Sequence, residues 1–268
     1  MKFVTLNTGV KLPVVGSGTN TFGKAGHEYM GEINGDTTEL LEAIEGGYRH
    51  FDTAISYRNE TVVGKALKES GKAREEFFVT SKIPGEAEYT KNAAAVKKGV
   101  QSSLEALDTD YIDLYLIHHP WNDLDEILEV WKVLEDYVDQ GVLKAIGVSN
   151  FQEPELKFLV EHARIKPAVN QIESHPGKWQ DELINFSVAH KVVPEAWSPL
   201  KVTDAAQHVL SEIGKKYGKT WAQVLLNYQI NRGVVVIPKS HHKDRQQQNF
   251  EVFDFELTDE ENRQIAAL

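Results

Sequence analysis

Gly47-Tyr48-Arg49-His50-Phe51-Asp52-Thr53-Ala54, continuing through Ile55-Ser56-Tyr57-Arg58-Asn59-Glu60 and closing at Val79-Thr80-Ser81-Lys82, contains two short strand candidates, His50–Thr53 and Phe77–Ser81. A carboxylate and an amine stand at the two strand ends, and a phenol lies just past the first. Brought together, those three groups make a proton donor.

The same strand signal recurs along the chain. Apolar candidates stand at Val14–Gly18, His50–Thr53, Phe77–Ser81, Ile112–Ile117, Ala145–Val148, Ala168–Ile172, Val192–Trp197 and Val234–Ile237. Most are rich in β-branched residues and few alternate strictly, which suits strands buried on both faces. Helical segments lie between them. Asp36 with Glu39 has the spacing of a capping box, Thr90 precedes a run beginning at Lys91, and Thr258 with Glu261 opens the last helix. Val96, Val100, Leu104 and Leu107 recur at helical spacing and predict a core-facing stripe.

Eight strands alternating with helices, without a linker or low-complexity stretch, predict an α/β fold: a single (β/α)8 TIM barrel domain over residues 1–268. Phe3–Leu6 and Val10–Leu12 flank Asn7-Thr8-Gly9 and predict a short N-terminal β-hairpin. An open Rossmann sheet would carry a GxGxxG turn at its first strand, whereas Gly16-Ser17-Gly18 runs into Thr19-Asn20-Thr21.

Composition narrows the function. A formal charge of −11 argues against nucleic acid or an anionic membrane as partner. There is no cysteine, so disulfides, thiolate metal sites and thiol nucleophiles are excluded. No apolar run approaches a membrane span, and Met1-Lys2-Phe3-Val4 enters strand-like sequence without a leader pattern. A cytoplasmic, soluble protein is the expectation, and a monomer.

In a barrel of this kind chemistry collects at the carboxyl ends of the strands. Those ends carry Asp52, Lys82, His118, Ser149 with Asn150, Gln171 with Glu173, Trp197 with Ser198, and Lys239 with Ser240. The apolar strands thus lead to a polar rim.

At this point the chain resembles the aldo-keto reductase family, of the 2,5-diketogluconate reductase and aldose reductase type, along nearly its whole length. The blocks are Gly47–Ala54, Tyr57 with Asn59-Glu60, Ser81-Lys82, Leu116-Ile117-His118 with Pro120, and Gly147-Val148-Ser149-Asn150-Phe151. They continue with Asn170-Gln171-Ile172-Glu173, His175-Pro176, Ser198-Pro199-Leu200 and Ile237-Pro238-Lys239-Ser240. The resemblance implies a catalytic tetrad of Asp52, Tyr57, Lys82 and His118. The chemistry can be stated independently: a phenol with an ordinary pKa of about 10 is a reluctant acid at neutral pH. A neighbouring ammonium stabilises its phenolate, and a carboxylate holds that ammonium in place. A rival set of metal ligands, His118, His119, His175 and Asp52, fails because neighbouring strand residues point to opposite faces, so no metal is expected and His119 is left outside the site.

Hydride chemistry requires a donor that side chains cannot supply, so a nicotinamide is implied. The resemblance gives Gly18, Thr19 and Asn20 to its site, Ser149, Asn150 and Gln171 to the carboxamide, Trp197 to ring stacking, and Ser198 and Leu200 to the pyrophosphate loop. Lys239, Ser240 and Arg245 would bind a 2′-phosphate, with Gln248 and Asn249 at the adenine, so NADPH (NADP+) is expected in preference to NADH.

A small-molecule carbonyl is the expected substrate, with Asn20, Phe22, Tyr89 and Trp121 forming a partly aromatic pocket. The stretch Phe22 to Gly35 reads as a long first loop, and the chain stops at Leu268 where many relatives continue into a flap. Carbonyl reduction by a tyrosine acid is the leading reading. The alternatives are a nucleotide-bound regulatory protein of the same fold, akin to a channel β-subunit or redox sensor, and a structural protein of the lens-crystallin kind.

Overall fold

The computed structural model describes residues 1–268. Strands β1 (Phe3–Thr5) and β2 (Lys11–Pro13) form the antiparallel hairpin. Eight parallel strands follow: β3 (Ser17–Gly18), β4 (His50–Asp52), β5 (Phe78–Ile83), β6 (Leu114–Ile117), β7 (Ile146–Ser149), β8 (Val169–Glu173), β9 (Val193–Trp197) and β10 (Val235–Val236). Each pairs with its neighbour in chain order. A parallel bridge from Val15 to Val236 joins the first strand to the last, giving the (β/α)8 barrel.

Helices α1 (Thr38–Glu45), α2 (Glu60–Glu69), α3 (Ala87–Thr90), α4 (Ala93–Leu107), α5 (Leu124–Asp139) and α6 (Glu153–His162) lie between the strands. Past β8 come α7 (Asp181–Ala189), α8 (Asp204–Lys215), α9 (Trp221–Asn231), α10 (Lys243–Phe250) and α11 (Asp259–Ala266). None is long and apolar enough to cross a membrane.

The period-two geometry of a strand sorts its side chains between two environments. On β5, Val79 and Ile83 join the large apolar layer shared with the helices, while Phe78, Thr80 and Lys82 alternate with them and face the barrel axis. The hairpin plugs the amino-terminal end. Leu6 and Leu12 pack there with Phe78, Leu114, Leu116, Ala145, Val169 and Val235, so the lower barrel is solid. Gly147 keeps that packing possible, since a Cβ there would lie 2.6 Å from the Val169 carbonyl and 2.8 Å from Leu116.

The glycines of the first strand have structural work of the same kind. A Cβ on Gly16 would fall 2.4 Å from His50 Nδ1, and one on Gly18 3.2 Å from the Ile237 carbonyl at the closing seam. Val96, Val100 and Leu107 are buried and Leu104 packs partly buried against the same core, as the stripe requires.

Two helix starts differ from expectation. Glu39 does not return to the Asp36 backbone; Asp36 instead accepts from the Thr38 amide at 2.9 Å, and α1 begins at Thr38. Glu39 is drawn away by His27 and His241. Thr90 closes α3, and the cap of α4 is Asn92, accepting from the Ala95 amide at 2.9 Å. Thr258 and Glu261 do form the capping box of α11.

Candidate active site

Alternation along neighbouring strands delivers Asp52 from β4 and Lys82 from β5 to the same side of the barrel. Lys82 stands within β5, one residue before its end, and is fully buried. Its Nζ donates to Asp52 Oδ1 at 2.6 Å, to the Thr53 carbonyl at 3.0 Å and to Tyr57 Oη at 3.2 Å. Tyr57 arrives from the 3-10 turn Ile55–Tyr57 that follows β4, and Arg58 closes that turn in the left-handed conformation (φ 60°). His118, just past β6, sets its ring edge-on to Tyr57, centroids 5.5 Å apart. The four residues named from sequence are therefore one contiguous group.

Its electrostatics are set by burial against charge. Burial pushes the Tyr57 phenol up, and Lys82 draws it down by less, so the net direction is upward. The ammonium alone would lower the phenol, and desolvation reverses the sign. Burial also works to strip Lys82 of its proton, but Asp52 and Tyr57 together outweigh it and hold its pKa above the ordinary lysine value. Burial, with Lys82 and His119 adding to it, drops His118 to about 2, so its imidazole is neutral. Its Nδ1 is buried without a partner.

Behind this group lies a second one that the strand-end reading passed over. Gln171 Nε2 donates to Asp52 Oδ2 at 2.7 Å and to Glu195 Oε1 at 2.6 Å. Flanking carboxyl groups on both sides fix the amide's orientation, because only its NH2 can face two acceptors. Glu195 is fully buried one alternation below Trp197 on β9. Burial, reinforced by the charge of Asp52, raises its carboxyl to about 8. Inward alternation along VPEAW was the available signal.

A cavity of about 500 Å³ opens above these groups. Gly18, Thr19, Asn20, Asp52, Tyr57, His118, Ser149, Asn150, Gln171, Trp197, Ser198, Leu200 and Lys239 all line it. Asn150 (φ 62°) and Ser198 (φ 51°) hold left-handed backbone at the ends of β7 and β9, a strain retained where chain direction matters locally. Asn150 donates to the His118 carbonyl at 3.0 Å and accepts from Trp197 Nε1 at 2.9 Å, which locks the indole over the rim. Ser149 donates to the Gln171 carbonyl at 3.0 Å. Ser240, Arg245, Gln248 and Asn249 lie outside this lining. Ser240 caps its own turn by accepting from the His242 amide at 3.1 Å, Arg245 is exposed on the first turn of α10, and Asn249 is buried.

The structure does not bring the four residues expected of the substrate pocket together. Of its four residues the structure brings only Asn20 to the cavity. Phe22 is fully buried, its carbonyl accepting from Asn59 at 3.1 Å and its ring packed edge-on to His241. Tyr89 packs against the helix layer, and Trp121 lies over Gly85 and donates to Glu126 at 3.3 Å. Tyr29 and His119 line the cavity instead. The first loop folds back over the site because Lys24, itself buried, donates to the Tyr29 carbonyl at 2.6 Å while Arg58 donates to the Gly31 carbonyl at 3.0 Å. Tyr29 thereby meets Tyr57 edge-on at 5.9 Å. His118 and His119 do not diverge as strand neighbours would: β6 ends at Ile117, and the two rings stack at 4.5 Å.

Comparison with known proteins agrees with this arrangement of elements. The profile of the aldo/keto reductase family matches residues 14–268. The chain is 42% identical over 271 residues to 9,11-endoperoxide prostaglandin H2 reductase of Trypanosoma cruzi, covering 99% of this chain and 90% of that protein. It is 42% identical over 268 residues to glyoxal reductase of Bacillus subtilis, covering 99% and 92%. The crystal structure of a Bombyx mori aldo-keto reductase in complex with NADP superimposes with a TM-score of 0.87 at 35% identity, covering 98% of this chain and 91% of the other.

Proposed function

Because the chain belongs to the aldo/keto reductase family, we propose that it reduces small aldehyde or ketone carbonyls to alcohols, using NADPH and a proton from Tyr57. The observation that carries this reading is the contact of Lys82 Nζ with Tyr57 Oη at 3.2 Å, backed by Asp52 at 2.6 Å, at the floor of a cavity that His118 also lines.

The residues present suit the coenzyme. The cavity offers an indole face, the hydroxyl and amide groups of Ser149, Asn150 and Gln171, and the Lys239 amine at its rim, while the Arg245 guanidinium stands exposed beyond it for a phosphate. NADPH, when bound, supplies the hydride. The protein's part is acid and positioning chemistry.

Tyr57 holds its proton at neutral pH because burial outweighs the neighbouring ammonium, so the phenol is ready as an acid. As charge develops on the substrate oxygen, Tyr57 Oη gives up that proton, and Lys82 stabilises the phenolate left behind. His118, neutral and with Nδ1 buried, offers Nε2–H as a second donor to the same oxygen. Asp52 keeps Lys82 charged, and Gln171 steadies the other oxygen of Asp52.

Tyr29 and His119 both line the cavity, and Tyr29 packs edge-on to Tyr57, so the first loop helps to set which carbonyls fit. NADPH oxidation measured with a panel of aldehydes and ketones, run beside Tyr57→Phe, tests the assignment. A wild-type chain that oxidises no NADPH with any carbonyl, or a Tyr57→Phe variant of undiminished rate, overturns it.

A further inference from the structure

His27, Glu39 and His241 come from three separate pieces of chain: the 3-10 turn Ala25–His27 in the first loop, the first turn of α1, and the segment after β10. Their side chains converge on one point. Glu39 Oε1 lies 2.6 Å from His241 Nδ1 and 3.2 Å from His27 Nε2, and the three ligand atoms all fall within 4.8 Å of one another. The two imidazoles stack in parallel, centroids 3.8 Å apart and 9° from coplanar. His27 reaches this position through a left-handed backbone (φ 54°). None of the three residues lines the cavity around Tyr57.

We propose that His27, Glu39 and His241 bind a divalent transition-metal ion such as Zn²⁺. Two imidazole nitrogens and one carboxylate oxygen are the donors that Zn²⁺, Co²⁺ and Ni²⁺ prefer, whereas Mg²⁺ and Ca²⁺ require oxygen-rich shells. An ion held at bonds of ~2.0–2.1 Å in tetrahedral geometry spaces its ligands by roughly 3.4 Å, near the 2.6 and 3.2 Å that separate Glu39 Oε1 from the two ring nitrogens. Stacked rings hold their in-plane lone pairs parallel, so binding also requires the exposed His27 ring to turn out of the stack.

The outer shell is already in place. His241 Nε2 lies 2.9 Å from Thr21 Oγ1, and Thr21 in turn accepts from Lys239 Nζ at 2.7 Å, which fixes the ring's orientation. On binding, each imidazole keeps one proton and moves it to the nitrogen away from the ion. In His241 that proton then donates to Thr21; in His27, whose side chain is 53% exposed, it faces water. Glu39 and His241 are 14% and 21% exposed, so three protein ligands are held while the fourth position stays open. Such an ion would tie the first loop to the Lys239–Arg245 segment.

Co²⁺ titrated into the metal-free full-length chain should produce a visible ligand-field absorption that saturates at about one ion per chain, is displaced by Zn²⁺ and is unaffected by Mg²⁺. His27→Asn and Glu39→Gln should each weaken Co²⁺ binding on the order of 10- to 100-fold, while His190→Asn, on a distant helix end, leaves it unchanged. His27 is surface-exposed, so its variant tests the site without disturbing the core, and far-ultraviolet circular dichroism verifies the fold. Failure to saturate near one ion, or affinity equal in wild type and the His27 and Glu39 variants, overturns the site.

Discussion

Glu195 Oε2 lies 3.7 Å from His50 Nε2 inside the barrel, both side chains fully buried and each of these atoms lacking any other partner. His50 Nδ1 faces the Pro13 carbonyl at 3.2 Å, so its proton sits there and Nε2 presents a lone pair to Glu195. Burial depresses His50 to about 3 and raises Glu195 to about 8. The pair is therefore neutral near pH 7, an acid facing an imidazole.

Stability should consequently depend on pH in a way that Glu195→Gln alters on one side only. Between the ordinary glutamate pKa of about 4.5 and 8 the native chain keeps a proton on Glu195 that the unfolded chain has released, so this group's contribution is present below that window and is lost as pH rises through it. The neutral variant lacks that slope. Its unfolding free energy relative to wild type should rise by ~1.4 kcal/mol per pH unit across the window. The His50 slope runs the other way, costing stability as pH falls below the ordinary histidine value, and should persist in the variant. Denaturant titrations from pH 5 to 8 check this; a constant difference contradicts the neutral pair.

Tyr57→Phe removes the phenol hydroxyl proposed as proton donor and leaves the ring that Tyr29 and His118 pack against. We expect kcat to fall by roughly 10²- to 10⁴-fold, with NADPH affinity, read from fluorescence quenching, unchanged within about twofold. Loss of coenzyme binding equal to the loss of rate would mean that the residue shapes the site and does not donate the proton.

Arg245→Ala should discriminate between coenzymes. Removing a charged donor to a 2′-phosphate costs ~1.5–3 kcal/mol, so KM for NADPH should rise roughly 10- to 100-fold. KM for NADH, which lacks that phosphate, should stay level. Lys239→Ala, which also frees Thr21, should act in the same direction. Parallel increases for both coenzymes would remove Arg245 and Lys239 from phosphate recognition.

Tyr29→Ala should change substrate choice more than rate. Its ring forms cavity wall beside Tyr57, so KM for bulky aromatic aldehydes should increase about tenfold, the loss of an aromatic contact worth ~1 kcal/mol or more. kcat for the smallest dicarbonyls should remain within about twofold. Unchanged KM across an aldehyde series would assign the pocket wall to other residues.

The barrel and the group around Tyr57 were already legible in the order of residues. Buried parallel strands read as short apolar runs, eight of them announce their count, and polar residues at their ends stand out because the strands are otherwise apolar. Asp52, Lys82 and His118 were legible for that reason, and Tyr57 through the blocks around it. The remaining features arise from contacts between residues far apart in the chain. Phe22 and Tyr29 lie in the same loop and look equally available as pocket residues, yet Asn59 draws the backbone at Phe22 into the core while Lys24 at Tyr29 and Arg58 at Gly31 hold the loop over the cavity. His27, Glu39 and His241 share no sequence spacing, and Glu195 reads as one strand residue among others until the barrel closes around it. Periodicity encodes which face of an element is buried; which distant groups meet there depends on how loops of no fixed period are held, by hydrogen bonds between residues far apart in the chain.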